Sequence, residues 1–219
     1  YFFAKPLIIS RKDIPTNKFQ FLRILKDVNA DDVEFKKLAQ TIQSEVSLSY
    51  KLLKLVNSAA FALRHRVTSI LQALSLLGLR EIRTWVSLLA ISAMADDKPA
   101  ELVISSLIRA RLCEHLARPA NLAARKSDLF LMGLFSLLDV IMSRPLEEIL
   151  KEISVEEEVM DALTGTPGQL HDILQLVIAM EMGNWDAVAR LTAAMNIEEQ
   201  QLPAAYREAV SWAQDIYSL

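Results

Sequence analysis

The stretch that decides the fold is LLKLVNSAAF, residues 52–61, followed after a short basic connection by ILQALSLLG, residues 70–78. Apolar residues recur at positions 48, 52, 55 and 56, which is helical spacing and predicts a helix with one buried face. Asn57 and Ser58 can bond their own backbone and compete with helix continuation. We therefore interpret them as the end of this helix in preference to a ligand site.

The second part of this pattern predicts another helix with a defined start and end. Thr68 is a candidate cap at its beginning, because a hydroxyl can accept a bond from a free N–H of the first turn. Gly78 fits the left-handed conformation that closes many helices. The two helices and the residues at which they begin and end are thus predicted from residue chemistry alone.

Taken together, these landmarks resemble the signature of the HD-related output domain (HDOD) family. In that signature a leucine-rich helix, Asn-Ser-Ala, an aromatic residue, a turn and a helix ending in Leu-Gly follow one another, as they do here around Asn57, Ser58 and Gly78. The resemblance covers residue 19 to about residue 142. It implies an all-helical bacterial signalling module, similar in fold to metal-dependent phosphohydrolases but generally without their metal ligands.

Composition sets limits on the class of protein. The chain of 219 residues can bury a sizeable core, as one large domain or two small ones. No segment reaches the roughly 18 uninterrupted apolar residues that a membrane-spanning helix needs. A single cysteine, Cys113, allows no internal disulfide and predicts a reduced, cytoplasmic protein. The net charge of −3 argues against binding to nucleic acid.

Beyond residue 17 the chain shows helical patterns and no strand alternation, so the predicted fold class is all-α. We expect a multi-helix HD-like bundle over residues 18–219, with a signature core at about 19–142 and an extra C-terminal helical region at 143–219. Helix starts are predicted from capping residues. These candidates are Asp31 with Glu34, Ser127 or Asp128 before a helix over 129–142, Ser154 with Glu157, Thr166 with Gln169, Asn184, and Asn196 with Glu199.

The first residues differ from the rest. YFFAKPLII, residues 1–9, is aromatic and branched and predicts a short extended arm. It resembles the closing segment of EAL domains, the cyclic di-GMP phosphodiesterases, which occur fused to HDOD domains. The resemblance implies that residues 1–17 are the tail of an upstream EAL domain plus a linker, and that the EAL catalytic acids lie further upstream.

The family resemblance also shows where an HD-type metal centre would lie. In HD enzymes an adjacent His-Asp pair follows a Gly-Leu-Leu-like run. Here the similar run is residues 133–135, and Ser136 and Leu137 take the place of the pair, with Asp139 as the nearest acid. Two metal ions need several His and Asp ligands. We therefore predict no catalytic, metal-binding or cofactor-binding residue in this chain.

Cys113 and His115 are candidates for a cysteine nucleophile and its base. Cys113 and His115 stand two residues apart, which places them on different faces of a helix. We expect Cys113 to be a small buried residue.

Four arginines form the candidate contact surface. They lie in the basic connection and on the following helix, where the simplest interpretation is solvated side chains and the alternative is a phosphate or an acidic partner. They are Arg64, Arg66, Arg80 and Arg83.

The sequence thus predicts a non-catalytic output module in cyclic di-GMP signalling that acts through protein contacts. The expected partners are the upstream EAL domain, other signalling proteins or a second copy, and neither nucleic acid nor a membrane. Three alternatives stay open: a degenerate HD-type phosphohydrolase, a nucleotide sensor that uses Arg64, Arg80 or Arg83, and a plain helical scaffold.

Overall fold

The computed structural model describes residues 16–30, 32–58, 61 and 66–218. This part of the chain is helical and contains no strand, which confirms the all-α prediction. The helices are α1 Thr16–Asn29, α2 Phe35–Gln43, α3 Val46–Val56, α4 Ile70–Met94, α5 Ala100–Leu116, α6 Lys126–Phe135, α7 Leu138–Met142, α8 Leu146–Glu152, α9 Glu157–Thr164, α10 Gln169–Glu181, α11 Trp185–Met195 and α12 Leu202–Tyr217. The predicted arm at residues 1–9 lies outside the described residues, and within them no helix is long and apolar enough to cross a membrane.

The signature residues lie at the end of α3 and along the first part of α4. Helix α3 ends at Val56 with Asn57 as its C-cap, as predicted. Helix α4 begins at Ile70, but its cap is Ser69, whose hydroxyl accepts from the backbone N–H of Gln72, and not Thr68. Within α4 the backbone leaves helical geometry at Gly78, with φ 78° and ψ 164°.

Helices α5 and α6 make the tightest packing contact, at Gly133. A Cβ on this residue would lie 2.5 Å from the carbonyl carbon and oxygen of Arg109 and 2.6 Å from the backbone nitrogen of Ala110. Only a residue without a side chain allows the two backbones to approach so closely. Gly133 therefore sets the position of the end of α6, which Ser136 directly follows.

Two apolar clusters share this helix pair. The first joins the buried faces of α1 to α8, and Ala213 of α12 belongs to it. The second joins α9 to α12 to the other sides of α5 and α6. Because α12 also packs along α5, the C-terminal helical region is held against the signature core by its last helix.

The helix predicted over residues 129–142 is two helices. Ser136 still has helical dihedral angles, and the chain leaves helical geometry at Leu137, between α6 and α7. The Ser136 hydroxyl donates to the carbonyl oxygen of Gly133 at 2.7 Å and so competes with the helical hydrogen bond. Ser127 and Asp128 lie inside the first turn of α6 and are not caps.

Of the other predicted caps, Asn184 is confirmed, since its side chain accepts from the backbone N–H of Ala187. The prediction for Asn196 is wrong: this residue is left-handed, with φ 55°, and terminates α11 instead of starting the next helix. Ser154 also has a positive φ and caps no helix.

The remaining two predicted starts are wrong in detail. The N-cap positions of α2 and α10 are held by Glu34 and Gly168, neither with a side-chain cap bond, while Asp31 lies outside the described residues. Thr166 therefore does not cap α10.

Candidate functional site

Asn57 joins the end of α3 to the chain segment that leads into α4. Its Nδ2 donates to the carbonyl oxygens of Leu53 and Val67, both at 2.8 Å. Its Oδ1 accepts from the backbone N–H of Val67, also at 2.8 Å. An amide carries donors and an acceptor on one side chain, and this arrangement uses both kinds. The signature asparagine is thus a structural clamp between α3 and the backbone that precedes α4.

The aromatic residue of the signature is also a packing residue. The ring of Phe61 meets Trp85 of α4 edge to face, with centroids 5.8 Å apart. Trp85 in turn contacts Trp212 of α12, with centroids at 6.3 Å. The aromatic contacts therefore connect the signature to the last helix of the chain.

Arg66 belongs to a groove that the clamp shapes, here called the α3 groove. It is lined by Tyr50, Leu53, Lys54, Asn57, Arg66, Val67 and Thr68. Arg66 is exposed, and so is Tyr50, at 66%. Val46, one helical turn before Tyr50, is 80% exposed. Two apolar side chains and a cation therefore share an open surface beside the signature.

Arg80 and Arg83 lie in a different groove, between the second segment of α4 and the start of α6. Arg80 is exposed. Arg83 is half-buried, and its guanidinium donates to the carbonyl oxygens of Val28 and Ala30 at 3.2 and 3.3 Å. These carbonyls lie at the end of α1, where a cation is favoured.

Of the four predicted arginines, Arg64 lies outside the described residues. Arg66 lines the α3 groove, whereas Arg80 and Arg83 line the other one. Arg83 has internal partners, so Arg66 and Arg80 are the exposed members among the three described arginines.

Ser136, which the family resemblance puts in place of a metal ligand, is bonded to an internal ion pair. Arg109 of α5 donates through Nε and Nη2 to the carboxylate of Glu181 at the end of α10, with Nη2 and Oε2 2.7 Å apart. Its Nη1 donates to the Ser136 hydroxyl at 3.2 Å. The two charged side chains are only 12% and 20% exposed. A bidentate, partly buried pair of this kind holds its members in fixed positions.

Two further groups near this pair are shielded from water. Burial raises the pKa of Asp139, although the nearby Arg109 acts in the opposite direction. Burial also raises the pKa of the Cys113 thiol well above its usual range. Cys113 is fully buried, as predicted, and its thiol is protonated at neutral pH.

Within the described residues, no three His, Cys, Asp or Glu side chains come together in a way that could hold a metal ion. The sequence reasoning identified Ser136 and Leu137 at the ligand positions but missed Arg109 and Glu181. These two residues are 72 positions apart, and neither belongs to a motif that indicates the pairing.

Comparison with known proteins shows the family. The chain belongs to the HDOD domain family, whose model matches residues 14–164. The uncharacterized protein YuxH of Bacillus subtilis is 34% identical over 219 residues, which are 99% of this chain and 53% of that protein. The cyclic di-GMP phosphodiesterase CdgJ of Vibrio cholerae is 29% identical over 100% of this chain and 51% of its own length. The chain thus spans about half the length of these relatives.

Solved structures show the same fold. An HDOD domain protein of Geobacter sulfurreducens has a TM-score of 0.61 at 16% identity, covering 95% of each chain. A presumed phosphohydrolase of Shewanella amazonensis has a TM-score of 0.58 at 16% identity, covering 94% of this chain and 92% of its own. At this level of identity the likeness concerns the fold alone. The HDOD prediction is confirmed, and the attachment to an EAL domain stays a prediction.

Proposed function

We propose that this chain is a non-catalytic signalling module that regulates an EAL domain of the same polypeptide through direct contact. Two observations support the link to cyclic di-GMP. The chain corresponds to about half of YuxH and about half of CdgJ, and CdgJ is named a cyclic di-GMP phosphodiesterase. In this proposal the EAL domain hydrolyses cyclic di-GMP. The module described here acts on that domain, in the cytoplasm.

The proposal that the module is non-catalytic is supported by one observation, the guanidinium of Arg109 beside Ser136. It is fixed there by Glu181 and bonded to Ser136, which stands where the family's enzymes have a metal ligand. Glu181 neutralises this guanidinium, and removal of Arg109 would leave the Glu181 carboxylate poorly solvated. The Glu181 carboxylate is therefore engaged by Arg109, and among the described residues no cluster of side chains is left to hold a metal ion.

The contact surface in this proposal is the α3 groove. Exposed Tyr50 and Val46 offer apolar area, and aromatic residues contribute strongly to protein interfaces. Arg66 and Lys54 give the groove a basic rim, so we expect the contacting surface to combine apolar and acidic side chains. Another signalling protein or a second copy of the chain is an alternative partner of the same chemistry.

The contact is tested in the full-length polypeptide that contains the chain. We expect Tyr50→Ala and Arg66→Glu each to change its rate of cyclic di-GMP hydrolysis at least about threefold, with the fold unchanged by circular dichroism. Trp185→Ala is the matched control, because Trp185 is also exposed, at 67%, but lies outside the α3 groove. Unchanged rates in both groove variants, or an equal change in the control, would contradict the proposed surface.

The degenerate phosphohydrolase is tested on the purified chain. Its metal content is measured by mass spectrometry, and its hydrolysis of cyclic di-GMP is assayed with added manganese or iron. We expect no stoichiometric metal and no metal-dependent turnover. Metal-dependent turnover that is abolished by Asp139→Asn would establish the chain as an enzyme in its own right.

A further inference from the structure

A second concave site adjoins the α3 groove, with which it shares Lys54, and its other lining residues are different. It is a cavity of about 270 Å³ bounded by α3, α4, the start of α5 and the end of α12. Its floor is apolar and includes Leu55, Leu88 and Val103, all buried. The four helices belong to the described residues, so the cavity is formed by ordered helical walls.

The rim of this cavity is cationic although the whole chain carries a net charge of −3. Three lysines line it, Lys51, Lys54 and Lys98, against one acid, Asp96. A cleft lined by charges of one sign concentrates the field and attracts ions of the opposite sign. The amino end of α5 adds to this potential, since Ala100 of its first turn also lines the cavity.

Two of these lysines differ from several other lysines of the chain. Lys18, Lys126 and Lys151 each lie within 4.0 Å of a carboxylate. Among the described residues neither Lys51 nor Lys98 has such a partner, and the Lys98 ammonium instead donates to the Ser143 hydroxyl at 2.9 Å. The Ser143 hydroxyl carries no charge, while the Asp97 carboxylate offsets part of the Lys98 charge. Lys51 is therefore the more available of the two ammonium groups to an anion.

The remaining wall suits a flat apolar group. Leu89, Ile216 and Tyr217 line the cavity, and Tyr217 is 47% exposed. The volume lies near the lower end of the roughly 300–1,000 Å³ typical of small-molecule sites. One nucleotide unit fits this range better than a dinucleotide does.

We propose that this cavity binds a mononucleotide, with its phosphate between Lys51 and Lys98 and its base against Tyr217 and the apolar wall. The proposal does not rest on the proposed regulatory contact, and Lys51 and Lys98 do not line the α3 groove. It differs from the nucleotide site considered from the sequence, because it uses lysines of α3 and of the α4–α5 connection in place of Arg64, Arg80 or Arg83.

The test is calorimetric titration of the whole chain with GMP, AMP, guanosine and inorganic phosphate. We expect saturable binding of at least one of the two nucleotides and much weaker binding of guanosine and of phosphate alone. Lys51→Ala and Lys98→Ala should each weaken nucleotide binding about tenfold, which corresponds to about 1.4 kcal/mol, because each removes one charged hydrogen-bond donor to the phosphate. Affinity should fall as sodium chloride is raised.

Lys151→Ala is the control, since Lys151 is exposed and paired with Glu147 away from the cavity. A nucleotide-dependent rise in the melting temperature, present in the control and lost in Lys51→Ala, gives a second readout. The proposal is overturned if neither nucleotide binds up to millimolar concentration, or if the Lys51 variant binds as the parent does. Phosphate or guanosine binding as tightly as the nucleotide would also overturn it.

Discussion

The side-chain amide of Asn57 and the backbone of Val67 bond to each other in both directions, with both distances at 2.8 Å. Val67 is buried, so water cannot readily replace the hydrogen bonds that Asn57 makes to its backbone N–H and carbonyl. An unpaired buried polar group costs about 1–3 kcal/mol. The asparagine of the signature is therefore required for its two-way hydrogen bonding, and a carboxylate of the same shape cannot replace it.

Substitution of Asn57 by Asp tests this requirement. At neutral pH a carboxylate only accepts, so the carbonyl oxygens of Leu53 and Val67 lose their donor and face a negative charge. We expect Asn57→Asp to lower the free energy of unfolding by about 1–3 kcal/mol, measured by urea denaturation at pH 7. Asn184→Asp is the matched control, because Asn184 only accepts, at a helix N-terminus. That control should be neutral or slightly stabilising, and an equal loss in both variants would contradict the donor role.

The signature could be predicted from the sequence because its structural effects are local. Asn57 ends α3 and Gly78 interrupts α4 through their own backbone preferences, which a sequence displays directly. Asn196 shows the limit of this reasoning. An asparagine suits both the start of a helix and its left-handed end, and the left-handed end is the one adopted here.

The contacts of Arg109 with Ser136 and Glu181 could not be predicted from the sequence, because they join distant segments of the chain. The sequence identified Ser136 as a residue that cannot replace a histidine ligand. It gave no sign that Arg109 would reach Ser136 or that Glu181 would neutralise Arg109. The close approach at Gly133 that makes this geometry possible is likewise visible only when α5 and α6 are packed.

A substitution at Gly78 tests backbone strain separately from steric clashes. A Cβ there would meet nothing within 4 Å, yet φ 78° with ψ 164° is strained for any residue with a side chain. We expect Gly78→Ala to destabilise the chain by about 1–3 kcal/mol. Gly168→Ala is the control, since Gly168 also has open space but an extended backbone, with φ 171°. If the two variants were equally stable in urea denaturation, strain at Gly78 would not be the cause.

The Arg109–Glu181 pair allows the cost of leaving one charge unpaired to be measured. Arg109→Met leaves the Glu181 carboxylate without its partner, and loss of one member of a buried pair costs about 3–5 kcal/mol. We expect a value near the lower end, because both side chains keep some exposure. The double variant Arg109→Met with Glu181→Met should recover most of the loss, since it removes both charges. A double variant as unstable as the sum of the two single variants would show that the charges do not interact.

Asp139 makes a prediction about pH. Burial raises its pKa, so the folded state binds the proton more tightly than the unfolded state does. The stability that this group contributes is present at low pH and is lost as pH rises through the raised pKa. The Asp139→Asn variant is uncharged at this position at all pH values and keeps the oxygen that accepts from the Val140 N–H. We therefore expect the variant to be more stable than the parent at pH 7, with the difference vanishing toward pH 3.

The control for this titration is Glu147→Gln, for which the sign is reversed. The hydrogen bond and charge of Lys151 lower the pKa of Glu147, so its stabilising effect is present at neutral pH and is lost as pH falls. The Gln variant should thus be no more stable than the parent at pH 7, and the two should converge in acid. Thermal melts of both variants from pH 3 to pH 8 measure these curves. An Asp139→Asn variant less stable than the parent at pH 7 would mean that the charged carboxylate stabilises α7 more than its burial costs.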